Sequence, residues 1–252
     1  MQADWVQAGE TRIYVRRWGG DGRPSVLYWH GGGGASRELP EIAPALEAAG
    51  YSVRAPDAPG FGESPALEDG CYRASNVAHL ATALIDTLGI APTVWIGYSW
   101  GASIGVHAVA KAPDRFTALV LLDGGYFVPE DDPDYDPSLD LAGHIEAWRA
   151  EIEEQDGEWD APVHVIAAAM AGSNEEPALP ILPAIEATGL PVLLLHSTLP
   201  AEYDDVRAGA LARFRTALPS AEVIPVASGH GILTDAGDDV RRIVLDWLSR
   251  RT

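Results

Sequence analysis

Cysteine, lysine and long apolar runs are nearly missing from this chain. Cys71 is its only cysteine, which excludes an intrachain disulfide and a cysteine metal cluster and suits a reducing cytoplasm. It reads as an ordinary loop cysteine rather than a reactive thiol. Lys111 is the only lysine, and 37 acidic against 17 basic residues give a formal charge of −20. Such a chain has no basic stripe for a phosphate backbone, so nucleic acid is excluded as a partner. No Gly-Lys pair follows a glycine tract, and no tract fits G-x-G-x-x-G, which excludes a Walker-type loop and the dinucleotide fingerprint. The longest apolar runs, such as 190–195, fall far short of the roughly 20 residues that cross a bilayer. Met1-Gln2-Ala3-Asp4 has no charged segment leading into an apolar stretch, so a soluble, unexported, cytoplasmic protein with no membrane partner is expected.

Hydrophobic residues make up 47% of 252 residues, enough for one large α/β domain carrying an insertion. β-Branched and aliphatic runs near 3–7, 11–18, 25–29, 51–55, 93–97, 117–123, 191–196 and 221–226 alternate with amphipathic helical patterns. This predicts an α/β fold: a mostly parallel central sheet of about eight strands with helices on both faces. Val77, Leu80, Ala81, Leu84 and Leu88 mark one helix face, with an N-cap expected at Ser75-Asn76 and a stop at Gly89. Val240, Ile243, Val244, Trp247 and Leu248 mark another face near the C-terminus. Between Asp123 and Pro191 the alternation breaks. An acidic loop from Glu130 to Asp136, then Leu141, Ile145, Trp148 and Ile152 at helical spacing, then Val163 to Met170, are too much for one crossover. A helical cap over residues 126–185 is expected, inserted in a core formed by 1–125 and 186–252.

The stretch Gly97-Tyr98-Ser99-Trp100-Gly101 follows the apolar run Thr93 to Ile96. Glycines on both sides of Ser99 allow a sharp strand-to-helix elbow that lifts its hydroxyl clear of the sheet and places the Trp100 N–H at a helix N-terminus. A nucleophilic serine also needs a base, an acid that orients the base, and N–H donors for an oxyanion. The pattern by itself recurs by chance, so these partners decide its meaning. Tyr28-Trp29-His30 runs into four glycines, 31–34, whose backbone can approach a bound carbonyl without side chains in the way. Gly32 is the expected second donor and Gly33 the next choice.

Among the seven histidines, His79 and His107 fall inside helical patterns, His144 and His164 in the insertion, and His30 reads as a brace for the glycine loop. His230, in Ser228-Gly229-His230-Gly231 after the last strand, lies at the strand edge where the elbow opens and comes last in chain order, as the base should.

These stretches, with Asp57-Ala58-Pro59-Gly60-Phe61-Gly62-Glu63-Ser64 and Ala112 to Gly125, resemble the α/β-hydrolase fold superfamily over nearly the whole chain. The resemblance implies a serine hydrolase with a helical cap, and it departs in the acid. Members often place the acid just beyond the strand before the histidine, where this chain has Leu199-Pro200, followed by Glu202, Asp204 and Asp205. Some capped relatives supply it at the position of Asp123, and Asp123 is preferred here; a structural aspartate capping the Gly124-Gly125 turn is its alternative.

Asp132, Asp134 and Asp136 alternate as in a calcium loop, but Pro137 stands where that loop needs Gly and Gly143 where it needs Glu, so a solvated loop is expected. The resulting reading is a metal-free, cofactor-free hydrolase of a carboxylic ester, thioester or lactone, with Ser99, His230 and Asp123 as the triad and Gly32 and Trp100 as oxyanion donors. Serine at the elbow disfavours the epoxide hydrolase and haloalkane dehalogenase relatives, which use aspartate there. Tyr126, Phe127 and Trp148 are expected to line a pocket for a small, largely apolar substrate, with Trp148 on the lid face. Carbon–carbon bond hydrolysis or a lyase reaction on the same triad is the rival activity, and a non-catalytic ligand-binding protein is the rival class. The oligomeric state is left open.

Overall fold

A computed structural model describes residues 1–21, 24–39, 42–155 and 157–251. Along the chain run β1 (Gln2–Ala8), β2 (Thr11–Trp18), β3 (Ser25–Trp29), α1 (Ile42–Ala48), β4 (Ser52–Pro56), α2 (Ala74–Leu88), β5 (Thr93–Tyr98), α3 (Trp100–Lys111), β6 (Phe116–Leu122), α4 (Leu141–Glu154), α5 (Val163–Glu175), α6 (Leu182–Glu186), β7 (Val192–Ser197), α7 (Asp204–Ala217), β8 (Glu222–Val226), α8 (Ile232–Asp235) and α9 (Gly237–Ser249). One sheet contains the eight strands in the order β1-β2-β4-β3-β5-β6-β7-β8. The pairings β1–β2 and β2–β4 are antiparallel and the other five are parallel.

Strands β3, β4, β5, β6 and β7 are buried almost throughout because both of their faces are covered. Alternate side chains serve opposite layers, as the period of two requires. Leu27 and Trp29 of β3 join Trp95, Leu119, Leu121 and Leu194 beneath α2, α3 and α5. Val26 and Tyr28 of the same strand join Val53, Ile96, Val120 and Leu195 against α1 and α9.

β3 has β4 on one side and β5 on the other, so the chain reverses its direction of winding there. The carboxyl ends of β3 and β5 flank that switch point, where open α/β sheets place their ligands. The glycine loop leaves β3 and the Ser99 elbow leaves β5.

Helix ends follow the sequence with one correction. Gly89 caps α2 in the left-handed region at φ 64° and donates to Asp86 and Ile85 carbonyls. The expected cap at Ser75-Asn76 is absent, because α2 begins at Ala74 after Arg73. Ser75 instead gives its N–H and hydroxyl to the Glu176 carboxylate at 2.8 and 3.0 Å, a contact across 101 residues that local pattern could not reveal.

Between Leu122 and Val192 lie a turn of 3₁₀ helix at Pro129–Asp131, α4, α5 and α6. α4 packs on α5, α5 returns to α2 and α3, and α6 packs on α3 and α7. His107 Nε2 donates to the Glu176 carbonyl at 2.9 Å, so this helical-pattern histidine ties the end of α5 to α3. Among the described residues, no helix is long and apolar enough to cross a membrane.

Candidate active site

At the elbow Ser99 takes φ 52° and ψ −114°, a conformation that costs a non-glycine residue on the order of 1–3 kcal/mol and survives only where its surroundings enforce it. Here the Ser99 N–H donates to the Leu122 carbonyl at 2.8 Å, and its own carbonyl accepts from Ala102 at 3.0 Å. The turn closes because Gly97 and Gly101 carry no side chain: a Cβ on Gly101 would run into the carbonyls of Trp29 and His30, and one on Gly97 into the carbonyl of Gly101. Asp123, just after β6, is the other non-glycine residue with positive φ among the described residues, at 46°, and its N–H donates to the Leu195 carbonyl at 2.8 Å.

These two strained residues meet at one histidine. His230 Nε2 is 2.9 Å from Ser99 Oγ and its Nδ1 is 2.8 Å from Asp123 Oδ2. Asp123 Oδ1 accepts from the Ser197 N–H at 2.7 Å and the Tyr126 hydroxyl at 2.9 Å. Burial raises the Asp123 carboxyl, but the bonds from His230 and Ser197 outweigh it and leave the group below the usual carboxylate range. An ionised Asp123 makes Nδ1 the protonated nitrogen and leaves Nε2 to accept from Ser99. The aspartate side chain is 2% exposed and the histidine 63%, so the dyad is anchored inside and open outward. Tyr98, beside the elbow serine, donates its hydroxyl to the His230 carbonyl at 2.9 Å, and burial raises that phenol.

The later carboxylates are engaged elsewhere or solvated. Asp204 pairs with Arg207 at 2.6 Å, and Arg207 also donates to the carbonyls of Leu199 and Pro200. Asp205 lies in the first turn of α7, and Glu202 is exposed.

The glycine loop faces the elbow. A Cβ on Gly31 would come within 3.3 Å of Ser99 Cβ, and one on Gly32 within 3.9 Å of Trp100 Cβ. Neither the Gly32 nor the Trp100 N–H has a hydrogen-bond partner among the described residues. Trp100 itself is buried, stacked on Phe61 with centroids 5.3 Å apart.

His30 holds the loop from beneath. Its Nδ1–H donates to the Gly31 carbonyl at 2.7 Å and its Nε2 accepts from Ala58 N–H at 2.9 Å. Burial lowers its pKa to about 4, partly opposed by the Gly31 carbonyl and the Asp57 charge. The unfolded chain therefore takes up a proton that the folded chain refuses between about pH 6.5 and pH 4. Folding stability should drop across that window on acidification, by up to about 3 kcal/mol from this group. Urea unfolding at pH 7 and pH 4.5 checks this, with His30→Asn expected to show the shallower loss; equal losses in both proteins would remove His30 as the source.

Of the three aromatic residues expected to share a pocket, Tyr126 and Phe127 lie side by side, and Trp148 lines a surface cleft on α4. Tyr126 has 0% exposure; its hydroxyl serves Asp123, so it braces the carboxylate instead of lining an open wall. Phe127, 41% exposed, lies beside it with ring centroids 4.3 Å apart and the planes tilted by 37°. Trp148 is half-buried and lines a surface cleft with Asp132, Asp134, Tyr135, His144 and Glu151. The acidic loop bonds within itself, Asp132 accepting from Asp134 N–H and Asp136 from Ser138. No group of three or more His, Cys, Asp or Glu among the described residues could hold a metal ion.

Two residues between β6 and β7 that sequence reasoning passed over do reach the glycine loop. A Cβ on Gly32 would overlap Met170 Cε, and one on Gly33 would approach Trp159 Cζ3 to 3.1 Å.

The match to known proteins follows the same lines. The family model described as alpha/beta hydrolase fold matches residues 24–158. The chain belongs to this family. Over 118 residues the chain is 37% identical to lipase LipV of Mycobacterium tuberculosis, covering 44% of this chain and 41% of the lipase. Over 127 residues it is 33% identical to epoxide hydrolase A of the same organism, covering 46% of this chain and 37% of that enzyme. Each match thus spans only about two fifths of the curated relative. The crystal structure of a bromoperoxidase from Bacillus anthracis superposes with a TM-score of 0.80 at 19% identity, covering 98% of this chain and all of that chain, a likeness of fold.

Proposed function

We propose that this hydrolase cleaves a carboxylic ester, thioester or lactone through an acyl-enzyme intermediate. Ser99 Oγ attacks the carbonyl carbon while His230 Nε2 takes its proton, and Asp123 holds the imidazole in the required tautomer and stabilises the imidazolium. The N–H groups of Gly32 and Trp100 receive the oxyanion. His230 then returns the proton to the leaving oxygen or sulfur, and water releases the acyl group by the same steps. The observation that carries this reading is the unbroken chain Ser99–His230–Asp123, at 2.9 and 2.8 Å. Serine at the elbow supports ester chemistry over the epoxide chemistry named for one relative.

The segment 126–185 acts as a cap on a core of 1–125 and 186–252. The partner is a small, largely apolar molecule, with nucleic acid and membrane excluded, and the protein works in the cytoplasm. Turnover of p-nitrophenyl acetate and butyrate, with fluorophosphonate labelling mapped to the Ser99 peptide, tests the reading. An inert, unlabelled protein whose melting temperature still rises with a ligand would favour the binding-protein alternative.

A further inference from the structure

We infer that Met170 is the wall of the acyl site and restricts this hydrolase to short acyl groups, a reading that rests on Ser99 being the nucleophile. The position of the thioether is defined by a glycine. A Cβ on Gly32 would overlap Met170 Cε and stand 3.0 Å from its Sδ and 3.9 Å from Trp100 Cβ. The end of Met170 therefore lies against the backbone of one oxyanion donor, on the side of the other.

Which part of a substrate meets it follows from proton transfer. The leaving atom must be protonated by His230 Nε2, so it lies toward His230, whose side chain is 63% exposed and leaves room for a large group. Around the tetrahedral carbon, Ser99 Oγ, the oxyanion and the leaving atom then occupy three directions. The acyl chain takes the fourth, away from His230, under the insertion and toward Met170.

The wall is held in register from two sides. Asp160, in the segment between α4 and α5, donates its N–H to the Gly33 carbonyl at 2.7 Å and accepts from Gly62 N–H at 2.6 Å. Its carboxylate pairs with Arg37, and the Trp159 ring lies over Gly33. Just past the end of α5, Glu176 accepts from Ser75 of α2 and His107 of α3. Met170 is half-buried at the edge of the core, so its truncation widens the site without opening a cavity in the interior.

The test compares kcat/KM for p-nitrophenyl hexanoate and acetate in wild type, Met170→Ala and Met170→Leu, with thermal melts of each. Burying one methylene is worth about fourfold in binding, and alanine frees space for two or more. The hexanoate-to-acetate ratio should rise about tenfold in Met170→Ala and stay within threefold of wild type in Met170→Leu, which keeps the volume. A ratio that moves less than threefold in a folded Met170→Ala, or equally in both variants, overturns the wall. A wild type that neither turns over acetate nor takes up fluorophosphonate overturns the serine-hydrolase reading, and the wall falls with it.

Discussion

Ser99→Ala should lower turnover of p-nitrophenyl acetate by on the order of 10⁶, since losing a triad serine removes the nucleophile and strands its base. The melting temperature should stay within a few degrees. The fold around this residue is held by its backbone, through the bonds to Leu122 and Ala102, and alanine leaves those bonds and the strained φ of 52° unchanged. The only side-chain bond lost is the exposed one to His230. This separation of activity from stability is the signature of a residue placed for chemistry; a core serine would lose both. Retention of more than a tenth of the wild-type rate would remove Ser99 from the nucleophile role.

Most of the scaffold was legible because the signals are local. The apolar runs gave eight strands, each within a residue or so of its observed ends, since buried parallel strands must be apolar on both faces. The elbow and the glycine loop were readable for a related reason, as both need backbone freedom that only glycine supplies without strain. Chain order singled out His230. The acid was harder: Asp123, Glu202, Asp204 and Asp205 all end or follow strands at the same sheet edge, and their order cannot say which carboxylate turns toward the histidine. That depends on the positive φ of Asp123 and on Arg207, which engages Asp204.

What the sequence hid are contacts between segments far apart. Tyr126 looked like a pocket aromatic because its ring is apolar, yet its hydroxyl needs Asp123 and takes the ring inside. Trp148 was the obvious residue on the amphipathic face of α4, whereas the side chains that reach the glycine loop come from the neighbouring segment, as Trp159, and from α5, as Met170. Met170 sits in a stretch of alanines whose periodicity is weak, and nothing in the local pattern aims it at residue 32.

Asp123→Asn should lower kcat by at least a hundredfold near neutral pH, and the hydrogen bonds around the carboxylate say why. Oδ1 of Asp123 accepts from two donors, the Ser197 N–H and the Tyr126 hydroxyl. An asparagine here must give its oxygen to that pair, because turning the amide around would set N–H₂ against an N–H and an O–H. Its NH₂ then faces His230 Nδ1, which must become the acceptor. The proton moves to Nε2, and an Nε2–H cannot take the proton of Ser99. Shape is preserved while the tautomer is wrong, a change that costs a triad on the order of 10⁴. Asp204→Asn and Asp205→Asn should each cost less than about tenfold, since Asp204 reaches Arg207 and Asp205 the first turn of α7. Measuring the three variants on one ester under the same conditions decides the matter: a larger loss in either of the later two would transfer the acid role to that loop and leave Asp123 as a turn residue.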